Sequence, residues 1–216
     1  KEYLSYVCDQ AVWQSISQDP SKLDDYVKDM QMAKKDVEQT NGLMFEIIAR
    51  RWLREVVSGH WINAQNLVVP VRPKRSWHSI EIDAFSLTRL DNQYRAAVAE
   101  VKWRFHISPD EGIIDPKGTR PLRDIVADRL EKLSEHFNEW LRIRLNYVEV
   151  ALISAHPVDG KDKHAHALSK ALLHKGIKCE NVKVYDIEDM YESVKSSDHP
   201  LKEVITYLRN RYVSSY

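Results

Sequence analysis

"AVAEVKW", residues 97–103, reads as a strand buried in a sheet, because Ala97, Val98, Ala99, Val101 and Trp103 are apolar, yet it carries Glu100 and Lys102. Side chains alternate across a strand, so these two charges share a face, together with Ala96 and Val98. Taking a carboxylate and an ammonium out of water is costly for each ion unless something compensates. Either the two pair with each other on a solvated face, or they surround a metal or a reacting group.

The neighbouring segments sharpen the choice. "SIEIDAFSLT" (79–88) alternates as a preceding strand, and Asp91-Asn92 forms the turn between the two. Strict alternation puts Asp83 on one face with Glu81 and Phe85, and Ile80, Ile82 and Ala84 on the other. Hairpin pairing then brings Asp83 and Glu100 to adjacent strands, within reach of one ion. Upstream, "LMFEIIARRWLREVVSG" (43–59) is an amphipathic helix, set off by a break at Thr40-Asn41-Gly42 and ended by Gly59. Its Glu46 falls at the edge of the apolar stripe of Ala49, Leu53 and Val56. A surface pair with Arg50 at i,i+4 is the ordinary alternative, and Arg50, Arg51 and Arg54 are expected on a solvated helix face.

Working outward, "NAQNLVVPVRP" (63–73) is a short strand limited by Pro70 and Pro73, and 105–121 is a long loop with three prolines and two glycines. A long helix follows, with Leu122, Ile125, Val126, Leu130, Leu133, Phe137, Trp140 and Leu141 as its stripe. "YVEVALIS" (147–154) is a strand, 163–176 a helix and "VKVYDI" (182–187) a last strand, with helices over 187–195 and 200–213. The order from residue 43 is helix, three strands, helix, strand, helix, strand: an α/β fold with a mixed sheet and helices on both faces. Residues 1–41 are expected as an N-terminal helical extension, 42–195 as the main domain and 196–216 as a C-terminal helix on that core.

The chain has 216 residues, 43% of them apolar, enough for one good core. No uncharged apolar run approaches a membrane span. Cys8 and Cys179 are far apart, with no metal-ligand spacing, so a reducing cytoplasm is the expected compartment. The first residue is Lys1 rather than Met, which suggests either a trimmed chain or a piece of something longer. Net charge is zero, but residues 42–123 hold 13 Lys and Arg against 9 Asp and Glu, whereas residues 1–41 hold 5 against 8. The positive segment coincides with the strands just described and suits a phosphate-facing surface.

Three carboxylates and one lysine leave uncompensated negative charge, and such a cluster raises its own pKa values or recruits a cation. All-oxygen donors suit a hard divalent ion, Mg²⁺ or Mn²⁺, that keeps waters for a substrate phosphate. Lys102 beside it would orient or help deprotonate an attacking water, and stabilise charge on the phosphate. Metal-assisted hydrolysis of a phosphodiester is the chemistry these residue types describe.

Asp83, a sixteen-residue gap, then Glu100-Val101-Lys102 resembles the PD-(D/E)XK nuclease superfamily, whose fold is restriction-endonuclease-like; Ile82 stands where the motif's name has Pro. "GLMFE" (42–46) is similar to the helix-one glutamate of its Mrr-type and archaeal Holliday-junction-resolvase branches. The resemblance implies a core of helix, three strands, helix, strand. It implies Asp83, Glu100 and the Val101 carbonyl as metal ligands, Glu46 acting directly or through water, and Lys102 at the nucleophile. It also implies a DNA-cleaving activity, with a homodimer as one arrangement. From the helix after the motif, Arg129 or His136 would face the site. Arg72, Lys74, Arg75, Trp77 and His78, in the connection before the Asp83 strand, and Lys117, Arg120 and Arg123, after Lys102, are candidates to track a DNA backbone. The rival function is a binding module of the same fold with a silent site, docking DNA or a partner within a larger, ATPase-linked assembly. A small-molecule α/β enzyme fits less well, because no glycine-rich phosphate loop or nucleophile elbow is present.

Overall fold

The computed structural model describes residues 37–71, 78–108, 112–114 and 120–213. Most of the expected 1–41 extension, with Arg72, Lys74, Arg75, Trp77 and Lys117, therefore lies outside the described residues, as does the side chain of His78.

Helix α1, Val37–Trp52, is followed by a π-helical turn, Leu53–Val57, and a short 3₁₀ turn, Gly59–Trp61. Then come β1 (Gln65–Val71), β2 (His78–Leu90) and β3 (Gln93–Lys102), and a hairpin of β4 (His106–Ser108) and β5 (Gly112–Ile114). Helix α2 (Leu122–Leu141), β6 (Leu145–Ser154), α3 (Lys161–His174), β7 (Cys179–Tyr185), α4 (Ile187–Val194) and α5 (Leu201–Val213) complete the chain. Five strands form one mixed sheet in the order β1-β2-β3-β6-β7. The β1–β2 and β2–β3 pairs are antiparallel and the β3–β6 and β6–β7 pairs parallel. The antiparallel pairs need only short connections; each parallel pair needs a crossover, supplied by α2 and by α3.

Two apolar layers cover the sheet. On one side α1, α4 and α5 pack on Ala84, Ala97, Ala99, Ala151 and Ile153. On the other α2 and α3 pack on Ile80, Ile82, Phe85, Ala96, Val98, Val150 and Leu152. The first of these sheet faces is lined by alanines that are fully buried. Their small side chains let the α1 backbone lie close to the central strands, with Phe45, Ile48 and Trp52 filling the space around them.

Four expectations need correction. Helix α1 begins at Val37 and runs through Thr40, Asn41 and Gly42, where a break was expected. A glycine costs only about 1 kcal/mol in a helix, so it does not by itself end one. Trp140 and Leu141, expected in the α2 stripe, are 68% and 54% exposed; the helix packs through Leu122, Val126, Ala127, Leu130, Leu133 and Phe137 instead. The loop expected over 105–121 contains the β4–β5 hairpin, with Gly112 at φ 76° opposite Ser108. Finally, Phe85 lies on the face of Ile80 and Ile82, not with Asp83. The cause is an irregularity in β2 that strict alternation does not foresee, and it places the candidate site. Among the described residues no helix is long and apolar enough to cross a membrane.

Candidate active site

Asp83 belongs to neither ladder register of its own strand. Pairing with β1 jumps from Phe85 to Ile82, and pairing with β3 begins only at Ala84 opposite Ala99. A bulge of this kind re-aims a side chain and interrupts the ladder. Here the side chain replaces what the ladder loses: the Val101 N–H donates to Asp83 Oδ2 at 2.8 Å. The backbone carbonyl of Asp83 accepts from Arg50 Nη1 at 3.0 Å. The β2–β3 pair thus splays at the end of β3, and an aspartate carboxylate sits in the opening.

Glu100 and Lys102 point to the α2 side of β3, as the alternation with Ala96 and Val98 requires. The Glu100 carboxylate is 3% exposed and meets two cations: Lys102 Nζ lies 2.6 Å from Oε1, and Arg129 Nη1 lies 2.6 and 2.7 Å from its two oxygens. Lys102 Nζ also donates to Asp83 Oδ2 at 3.2 Å and to the Val101 carbonyl at 3.3 Å. Asp83, Glu100 and the Val101 carbonyl therefore converge on one positive point. Glu46 approaches from α1, with Oε2 3.7 Å from Arg50 Nη1.

The electrostatics follow from this crowding. Burial pushes the Glu46 carboxyl up to about 8, with the Asp83 charge adding to it and Arg50 and Lys102 opposing. Burial likewise lifts Asp83 to about 6, with Glu100 reinforcing and Lys102 and the Val101 N–H opposing. For Lys102, burial disfavours the ammonium, but Glu100 and Asp83 outweigh it and hold the group above the ordinary lysine range. The lysine is firmly a cation here, which makes it a donor rather than a base.

The suitability of this cluster for a divalent ion rests on its donors. The ammonium stands in for an ion: two carboxylate oxygens and a carbonyl oxygen surround it, all hard donors of the kind Mg²⁺ and Mn²⁺ prefer. Among the described residues no three His, Cys, Asp or Glu side chains group to hold a metal. The convergent set is two carboxylates and a backbone carbonyl, with Glu46 beside it. Such an incomplete shell fits an ion that retains waters.

The four residues Glu46, Asp83, Glu100 and Lys102 are thus brought together. Arg129, not His136, faces them; His136 stacks on Trp140 near the far end of α2. Arg120 and Arg123 lie elsewhere, lining a groove of about 630 Å³ between α2 and α3 that includes none of the four. Arg120 is held there by Asp128 at 2.7 Å. Arg50 was expected on a solvated face but is 3% exposed. A signal for it existed: position 50 is three residues after Ile47 and three before Leu53, inside the buried stripe.

The chain matches no protein-family model, no curated protein and no solved structure.

Proposed function

We propose that the protein is a divalent-metal-dependent nuclease that hydrolyses DNA phosphodiester bonds with an activated water. The observation that carries this reading is the convergence of Asp83 Oδ2, Glu100 Oε1 and the Val101 carbonyl on one cationic position at a splayed strand end. Asp83, Glu100 and the Val101 carbonyl would hold the ion, with Glu46 reached directly or through water. A bound Mg²⁺ or Mn²⁺ supplies Lewis-acid stabilisation of the phosphate and a water of lowered pKa. Lys102, held as an ammonium, orients the incoming water and donates to a phosphoryl oxygen as charge develops there. Arg50 keeps the Asp83 backbone in the bulge that aims its carboxylate. The order helix, three strands, helix, strand supports the restriction-endonuclease-like assignment, and the positive balance of residues 42–123 supports a polyanionic substrate.

One observation favours the rival binding module with a silent site: both carboxylates already have cationic partners in Lys102 and Arg129. A cleavage assay separates the two. Supercoiled, linear, single-stranded and four-way-junction DNA are incubated with Mg²⁺ or Mn²⁺ and wild type, Asp83→Asn or Lys102→Met protein, with thermal melts to establish that each variant is folded. Metal-dependent cutting that drops at least about a hundredfold in both variants is expected, in the range lost when a group acting on the transition-state charge is removed. Folded wild type that cuts no better than the variants on any of these DNAs would refute the nuclease reading and favour the module.

A further inference from the structure

The contact of Arg129 with Glu100 has no part in the scheme above. One nitrogen of the guanidinium lies against both oxygens of a carboxylate that is itself 3% exposed, while the arginine side chain is 35% exposed. Arg129 thus bridges the buried ligand and the solvent side of the site. Its backbone is fixed, because Val126, Leu130 and Leu133 on either side are buried in the core. Its side chain, partly exposed, is the part that reaches the solvent side.

The local charges balance without a metal. Asp83 and Glu100 contribute two negative charges, and Lys102 and Arg129, in direct contact with them, two positive ones. A divalent ion entering this neutral cluster must compete with two cations for the same oxygens and leaves the site with excess positive charge. A phosphodiester changes both terms. It brings negative charge, and its two non-bridging oxygens offer a guanidinium the same fork geometry that a carboxylate does.

Resting on the nuclease reading, the geometry points to Arg129 as a positioning residue that couples metal uptake to substrate. It occupies Glu100 when the site is empty of substrate, and it exchanges Glu100 for a backbone phosphate when nucleic acid arrives, releasing the carboxylate to the ion. The site then takes its metal together with a phosphodiester rather than before it. Linkage makes the effect reciprocal: the factor by which DNA tightens the metal is the factor by which the metal tightens DNA.

The test is Mn²⁺ affinity, read by electron paramagnetic resonance of the free ion, in the cold where turnover is slow, with and without a short duplex DNA. Wild type is expected to bind Mn²⁺ weakly alone and about tenfold or more tightly with duplex, within the usual range of coupling between sites. Arg129→Met should bind Mn²⁺ alone about tenfold more tightly than wild type and lose most of the gain from DNA. Arg129→Lys, which keeps a charge but not the fork, should fall between the two, and it carries the comparison where the methionine variant does not fold. Equal Mn²⁺ affinity of wild type and both variants without DNA overturns the coupling while leaving the nuclease reading intact. Absence of Mn²⁺ binding by folded wild type, with DNA and without, overturns both.

Discussion

Replacing Glu46 by Gln should stabilise the metal-free protein, and the gain should depend on pH in one direction. The Glu46 carboxyl, at 4.5 in its ordinary state, is pushed up to about 8 by burial and by Asp83. The unfolded chain therefore loses this proton near pH 4.5, while the folded chain keeps it until about pH 8. Between those values the native state binds more protons, so stability falls as pH rises through the window and levels off above it. Each pKa unit corresponds to about 1.4 kcal/mol, so the full shift sets a ceiling near 5 kcal/mol. Because the side chain is partly exposed and lies near Arg50, about 2–4 kcal/mol is the expected gain for Glu46→Gln at pH 8.5, shrinking towards zero at pH 5. Thermal or urea unfolding of both proteins across that range, in the presence of a chelator, measures it. A variant no more stable than wild type at pH 8.5, or a gap that does not change with pH, would refute the reasoning: Glu46 would then be an ionised surface partner of Arg50, away from Asp83.

Other substitutions read other parts of the same cluster. Lys102→Met should destabilise the metal-free protein at neutral pH by about 3–5 kcal/mol, the usual result of orphaning a buried ionic partner; added Mn²⁺ should recover part of it, as denaturant midpoints will show. Arg50→Leu removes the donor to the Asp83 carbonyl and should cost about 2–3 kcal/mol, as for hydrogen bonds from charged groups, with the shortfall read from the same unfolding curves. Trp140→Ser, at a position 68% exposed, should change stability by no more than about 0.5 kcal/mol; a larger loss in the melting curve would mean that Trp140 is covered in solution.

The hairpin was legible because its signals are local. Asp91-Asn92 marks the turn, with both residues at positive φ, and counting back along two strands brings Asp83 towards Glu100. Alternation also placed Glu100 and Lys102 correctly, since β3 is regular up to its end. The bulge at Asp83 was not legible, because a register irregularity belongs to the partnership of three strands and leaves no pattern in one of them. Arg50 was hidden for a related reason. A charged residue inside an apolar stripe reads as an exception until its partner is known, and its partner, the Asp83 carbonyl, comes from a distant segment. Arg129 was one of two candidates on its helix, and only its contact with Glu100 chooses it over His136. The helical course through Gly42 and the exposure of Trp140 show the same limit: local propensity and periodicity yield to where the core happens to begin and end.

The alanines at positions 84, 97, 99 and 151 act as shims. Their size sets the height at which α1 rides over the sheet, and α1 carries both Glu46 and Arg50. Two carbons added beneath the helix, as in Ala99→Val, touch no ionic group, yet they would raise the platform from which Glu46 and Arg50 reach Asp83. The tolerances of the candidate site are therefore written partly in residues with no chemistry of their own. Neutral-looking changes on that face are where its geometry would drift first.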